Sequence, residues 1–314
     1  MSKQKFSLKN AEQVRVTTTM AQQKRIKKMY EKLYQDVTKQ ITKLGNKNLQ
    51  KQNLVLLQRD IENAIQQMND DIQNGIVRDM RIVSNAVVED TRTFLKQMGF
   101  KDKDIHNAFQ YVPNQIVKNI INGNIYQDGW SLSQAIWGYN KKTQQDLINI
   151  IGICSKQGKS AYETALELEK YVDPSARKAS RVISSWRYDS NGNKVKDKFY
   201  FGKVDYNAQR LARTMISHAY QQSFEAVNKN DPFVTGYRWL ISNFHGRVCE
   251  ICREREGKIY KKDELPLDHP NGMCTFEAVI PDSMTDIATN IGMWYQSPIG
   301  TYPEIDEYAK DFIL

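Results

Sequence analysis

The sequence has no apolar run long enough to cross a bilayer. Its longest candidate, Leu147 to Cys154, is eight residues, against the roughly 20 that a membrane helix needs. The opening residues Met1-Ser2-Lys3-Gln4-Lys5 are polar and no apolar stretch follows them. No targeting segment and no membrane partner are therefore expected, and the protein should be made and kept in a cytoplasm. Cysteine is scarce, with four residues, and so is histidine, with four. In a reducing compartment such cysteines are thiols or metal ligands rather than disulfides. The sequence also lacks a Walker-type phosphate loop, a G-x-S-x-G elbow and an H-E-x-x-H pair, so the common nucleotide, acyl-transfer and metalloprotease signatures are missing. Acidic side chains are few at the start. Residues 1–60 hold fourteen basic groups against four acidic ones, a net +10, so the rest of this +9 chain is close to neutral at −1. A local positive field of that size suits a polyanion, although a lysine-rich helix face can also be simply solvated.

At 314 residues and 40% hydrophobic content, the chain is long enough for two or three domains and at least one packed core. Residues 1–20 show no clear periodicity and read as a mobile arm. Ile26, Tyr30, Leu33, Val37, Ile41 and Leu44 then recur at helical spacing, and Gly45-Asn46 reads as a break. A longer stripe runs through Leu54, Leu57, Ile61, Ile65, Met68, Ile72, Ile76, Met80, Val83, Val87, Phe94 and Met98, with Gly99 placed as a C-terminal cap. The heptad phase slips at Gln40 and Gly75, which favours two helices packing on each other over an oligomeric coiled coil.

Beyond residue 100 aromatic side chains become commoner, and Tyr111, Trp130, Trp137 and Tyr139 suggest a compact core. Ser160-Ala161-Tyr162-Glu163 has capping-box spacing and predicts a helix to about Val172. Asp173-Pro174 predicts another, running towards Ile183. Asn191-Gly192 predicts a tight hairpin turn between Trp186 and a strand at Lys198-Phe199-Tyr200-Phe201. A helix from about Val204 to Asn228 follows, with Leu211, Met215, Ala219, Phe224 and Val227 inward, and then a short strand at Tyr237 to Ile241. The expected fold class is α+β and predominantly α-helical. Long N-terminal helices precede a compact helical middle and a small β-containing Cys/His knuckle near the C-terminus. The expected segments are a basic helical arm over 1–100, a helical middle with a hairpin over 101–203, the Cys/His region over 204–282 and a tail over 283–314.

The most informative constellation lies in the third of these segments. Cys249-Glu250-Ile251-Cys252 is a C-x2-C pair, and Asp268-His269-Pro270-Asn271-Gly272-Met273-Cys274 follows it. A two-residue gap lets both thiolates face one ion, and His269 with Cys274 would complete a tetrahedron. Zinc is the default metal for such a sulfur-rich set, and four ligands with no open position suit a structural site better than a catalytic one. The plainer alternative is reduced cysteines in a small β-rich region with His269 held by hydrogen bonds. Cys154, remote and in an apolar run, reads as core.

The stretch from Asn207 to Pro281 resembles the phage Mu F-like head morphogenesis family. The resemblance is carried by Arg210 and Arg213-Thr214 on a helix, Trp239 on a strand, and Arg247-Val248-Cys249-Glu250-Ile251-Cys252. It continues through Glu256-Gly257-Lys258 and His269-Pro270-Asn271-Gly272-Met273-Cys274 to Val279-Ile280-Pro281. A looser likeness reaches upstream through Trp130 to Tyr171. The chain departs from the family pattern at Met215 and at His245-Gly246.

The resemblance implies a minor head (minor capsid) protein of a tailed bacteriophage, not an enzyme, located in the virion after assembly in the host cytoplasm. It implies a place at the portal protein or inner capsid, beside other head proteins (capsid or scaffold) and packaged double-stranded DNA. The basic cluster Lys24, Arg25, Lys27, Lys28 and Lys32 is the expected DNA contact, since phosphate recognition is independent of sequence. An HNH-like metal-dependent nuclease is the alternative, but His269 is the last histidine and the usual downstream partner is missing. A transcription regulator would need helix-turn-helix spacing, which is not found.

Overall fold

A computed structural model describes residues 8–43, 51–156, 182–188, 194–200, 206–241 and 248–313. Several sequence expectations lie outside the described residues: the Gly45-Asn46 break, the Ser160 and Asp173 helix starts, the Asn191-Gly192 turn and His245. The side chains of Trp137, Tyr139 and Cys154 also lie outside them. Within the described residues the fold is α+β and mostly helical, as the sequence leads one to expect, and no helix is long and apolar enough to cross a membrane.

Two long helices open the chain, α1 (Lys9–Lys43) and α2 (Lys51–Gln97). Along α2 the apolar stripe is buried at Leu57, Ile61, Ile65, Met68, Ile72, Ile76, Met80, Val83 and Val87. Gly99, with φ 102°, closes the helix: its N–H donates to Lys96 and that of Phe100 to Leu95, which satisfies two of the terminal carbonyls. The helices α3 (Asp102–Phe109), α4 (Val112–Asn122) and α5 (Leu132–Lys156) follow, then an antiparallel hairpin of β1 (Val182–Tyr188) and β2 (Lys194–Tyr200), with Trp186 opposite Lys196. The next elements are α6 (Tyr206–Asn228), β3 (Gly236–Leu240), α7 (Glu250–Arg255), β4 (Ile259–Tyr260) and β5 (Thr275–Val279). Strand β3 lies between β4 and β5, antiparallel to both. The chain continues through α8 (Met284–Trp294) and α9 (Pro303–Ile313).

Four sequence expectations need correction. Residues 9–20 are not an arm but the first turns of α1. Their inward positions, Ala11, Arg15 and Thr19, are buried at helical spacing, but two of the three are polar and give no hydrophobic signal. Tyr111 and Trp130 are 63% and 54% exposed, so neither builds a core. Val182 and Ile183 belong to β1, so no helix reaches Ile183. The stretch after residue 283 carries two helices. Ser283 caps the first by accepting from the Asp286 N–H at 3.2 Å.

Compact packing cuts across the linear segments. One unit comprises residues 1–21, 76–131 and 212–314, and the other comprises residues 22–75 and 132–211. Inside the second, a buried polar chain runs from the Tyr30 hydroxyl to Asn140 and from Asn140 to Asn69. Gly75 lets the Gln22 side chain approach closely, since a Cβ there would sit 2.8 Å from Gln22 Nε2. The phase slip in the sequence is therefore a close helix approach, and α2 passes through it unbroken. Inside the first unit, residues 212–228 of α6 are the central element. Along α6, Leu211, Met215, Ala219, Phe224 and Val227 are buried as the sequence suggests. The rings of Phe224, Tyr237, Trp239 and Phe276 pack edge-on or stacked between α6 and the three-stranded sheet.

Candidate metal centre

The C-x2-C pair sits at the start of a short helix. Cys249 is the N-cap of α7, and its sulfur accepts from the Cys252 N–H at 3.4 Å. That geometry turns both sulfurs to one side. The opposing loop between β4 and β5 brings His269, whose Nε2 lies 3.2 Å from Cys249 Sγ and 3.1 Å from Cys252 Sγ. His269 Nδ1–H donates to the Pro270 carbonyl at 3.0 Å, which leaves the Nε2 lone pair aimed at the sulfurs. Cys274, at the edge of β5, donates its thiol to Cys252 Sγ at 3.3 Å. Cys252 is therefore shared by two triads, Cys249–Cys252–His269 and Cys252–Asp268–Cys274. The first of these can bind a metal ion.

The donor chemistry fits such an ion. Zn–S bonds of about 2.3 Å and Zn–N bonds of about 2.0–2.1 Å give tetrahedral ligand–ligand edges of about 3.5–3.8 Å. The three sulfur-containing edges of 3.1–3.3 Å are a few tenths of an ångström shorter. Burial first, and then the neighbouring Cys249 and Cys274 sulfurs, push the Cys252 thiol well above its ordinary pKa. A lone thiolate is disfavoured there, and a bound dication is the chemical device that reverses such a preference.

The loop is held by a polar stripe on α6. Thr214 Oγ1 accepts from the Asn271 N–H at 2.8 Å, and Arg213 donates to the Asn271 side chain at 2.6 Å. Together they fix Asn271 in the left-handed conformation, φ 72°, directly after Pro270. One and two turns along, His218 Nε2–H donates to the Asp268 carbonyl at 3.0 Å, and Gln221 both accepts from Asp268 N–H at 2.9 Å and donates to the Pro266 carbonyl at 3.0 Å. Tyr126 donates its hydroxyl to His218 Nδ1 at 3.0 Å, which sets that tautomer, and burial lowers the His218 pKa so that the ring stays neutral.

The buried Asp268 carboxylate then closes the loop on itself. One oxygen accepts from His269 N–H at 2.9 Å and the other from Cys274 N–H at 3.1 Å. Gly272 leaves the room for it, since a Cβ there would lie 2.3 Å from both carboxylate oxygens. Asp268 thus orients the residues on either side of the turn and is occupied in doing so. Such second-layer groups are the usual support of metal ligands.

No family model, curated protein or solved structure matches the chain. The four residues singled out in the sequence, Cys249, Cys252, His269 and Cys274, lie side by side. Asp268, His218 and Gln221 were not singled out. The signal of His218 and Gln221 was present as polar residues at three- and four-residue spacing from Thr214 on an otherwise apolar helix face, whereas Asp268 is a loop residue. The basic positions Lys24, Lys27, Lys28 and Lys32 are exposed on α1 and Arg25 is half-buried. Lys27 faces Glu31 at 3.5 Å, and Arg25 donates to Gln22 at 2.8 Å.

Proposed function

We propose that this chain is a non-enzymatic minor head protein of a tailed phage, akin to the Mu F-like head morphogenesis proteins, with one structural zinc held by Cys249, Cys252, His269 and Cys274. One observation carries the reading. Two of the segments that carry the resemblance, Arg213-Thr214 and His269-Pro270-Asn271, grip each other through Asn271 and deliver His269 to the C-x2-C pair. Residues spread over the matching stretch thus have one shared structural purpose, the building of a metal loop. Zinc would supply folding free energy where the three-stranded sheet is small. Cys274 would become the fourth ligand once its thiol, now bonded to Cys252, is deprotonated. In this reading the portal or inner capsid is the protein partner, and the exposed lysines of α1 meet packaged DNA.

Elemental analysis of protein purified without chelator tests the metal. One zinc per chain is expected. Metal-free protein whose three loop cysteines are all freely alkylated under native conditions would refute it. Co-purification with portal or capsid proteins from virions tests the head assignment.

One feature favours a second reading. Cys274 groups with Cys252 and Asp268 rather than with the Cys249–Cys252–His269 triad. A three-ligand site keeps a position for water, as a metal-dependent nuclease requires. DNA cleavage in magnesium, manganese or zinc that disappears in His269→Ala would replace the structural reading with this one.

A further inference from the structure

Arg15 lies on the second turn of α1 and is fully buried. Its two terminal nitrogens donate to the backbone carbonyls of Cys274 and Met273, at 2.8 and 2.9 Å. Its guanidinium lies 4.3 Å from the centre of the Tyr220 ring. No carboxylate makes an ion pair with it among the described residues, although Glu12 and Asp90 act with it on the Tyr220 hydroxyl, and its Nε has no hydrogen-bond partner there. A buried cation without a counter-charge is costly, commonly by several kcal/mol. Carbonyl dipoles and an aromatic face offset only part of that cost. The loop that Arg15 grips is the one that presents the metal ligands. A dication bound by three thiolates and one neutral imidazole carries one net negative charge.

We infer that Arg15 is the counter-cation of the metal centre: it balances the anionic zinc–thiolate cluster and ties the first turns of α1 to metal occupancy. This inference rests on the metal reading above, and Arg15 acts through Cys274 as a positioning residue, not as a ligand. Arg15 also explains why the first turns of α1, with so little apolar surface, dock at all. The first turns of α1 are held by Arg15 on the loop and by the Ala11 N–H, which donates to Asp90 at 2.9 Å. Filling the site strengthens the first of these attachments.

The test uses the full chain and zinc itself, with affinity read by competition against a chromophoric chelator. Arg15→Met removes the charge and the donors at similar length and should weaken zinc binding about 10- to 100-fold, the usual range for outer-layer partners of a metal site. Arg15→Lys keeps the charge and should recover part of that loss. Cys249→His makes the loaded centre neutral, so in that background the Arg15→Met penalty should shrink to a fewfold change. A purely structural role would leave the penalty the same in both backgrounds. Amide exchange over residues 9–21 should slow when zinc is added to the wild type.

Three results would overturn the inference. Stoichiometric zinc in the wild type with unchanged affinity in Arg15→Met removes Arg15 from the centre while leaving the metal reading intact. An equal penalty in the Cys249→His background removes the electrostatic role. A wild type that binds no zinc removes the metal reading and the inference together. If Arg15→Met does not fold, Arg15→Lys carries the same comparison, with unchanged affinity and an unchanged exchange response counting against the inference.

Discussion

Asp231 is 2% exposed, and its carboxylate accepts from the Phe233 N–H at 2.9 Å. Burial outweighs that bond and the nearby Lys262, and lifts its pKa to about 6. A carboxyl group raised in the folded state holds its proton longer than in the unfolded chain. Its stabilising contribution is therefore full below about pH 4 and fades as pH rises through about 6. Asp231→Asn keeps the acceptor and removes the ionisation. The variant should gain about 2–3 kcal/mol over the wild type between pH 4 and pH 7, read from denaturant midpoints at each pH. The gain should be absent at pH 4. Gly272 gives a second prediction at this scale. Gly272→Ala should cost about 2–3 kcal/mol and weaken metal binding, because the clash falls on a carboxylate fixed by two backbone N–H groups. Equal thermal stability and equal zinc affinity in the variant would contradict it. The candidate metal ligands were legible in the sequence because cysteine and histidine announce their chemistry by spacing. The residues that orient them were less so, since Asp268, His218 and Gln221 act through backbone groups and no sequence pattern encodes which carbonyl or N–H they will meet.

The elements divide the same way. Helix α2 and the inward face of α6 could be read because burial there is apolar and periodic. The first turns of α1 could not, because Arg15 and Thr19 are buried polar positions, and the partners of Arg15 lie far along the chain. The exposed Trp130 and Tyr111 misled for the converse reason: aromatic residues are counted in the sequence as core, although each fold leaves some outside. In the sheet, Gly236 on β3 is set against the backbone of β4, and a Cβ there would lie 2.6 Å from the Tyr260 carbonyl. Backbone cannot move aside as a side chain can. Gly236→Ala should loosen β4 and speed amide exchange at Trp239 and Gly257, whose N–H groups pair with Lys258 and Trp239. Unchanged exchange at those two amides would show that the strand edge absorbs the methyl.

At the scale of the whole molecule, the excess positive charge does not act as one block. Arg15, counted among the fourteen basic groups of residues 1–60, faces inward, while Lys24, Lys27, Lys28 and Lys32 face solvent. The proposed DNA contact therefore begins past the second turn after Arg15. Full-length protein should bind duplex DNA of any sequence with a log–log salt slope of about −4, from four or five neutralised phosphates. Reversing Lys24, Arg25, Lys27 and Lys28 to Glu should cut affinity alike for every sequence and flatten that slope. Retention of both would mean that these lysines are ordinary solvated surface. Charge reversal is the sound comparison. A chain shortened to begin near residue 101 would lose Arg15 and the half of α2 that belongs to the same compact unit as the loop bearing His269 and Cys274.

The bond between Arg15 and the Cys274 carbonyl spans 259 residues. At about 5–20 residues per second of synthesis, Arg15 leaves the ribosome tens of seconds before its partner exists. During that interval the early helix must wait without sticking to anything else. The arginine and threonine of its first turns wait well, because water solvates them, whereas the apolar stripe of Ile26, Tyr30, Leu33 and Val37 further along must find its own cover. The polarity that hides these first turns from a reading of the sequence also gives them little to stick with while the chain is unfinished. The last third of the polypeptide supplies the latch that finally closes on the first.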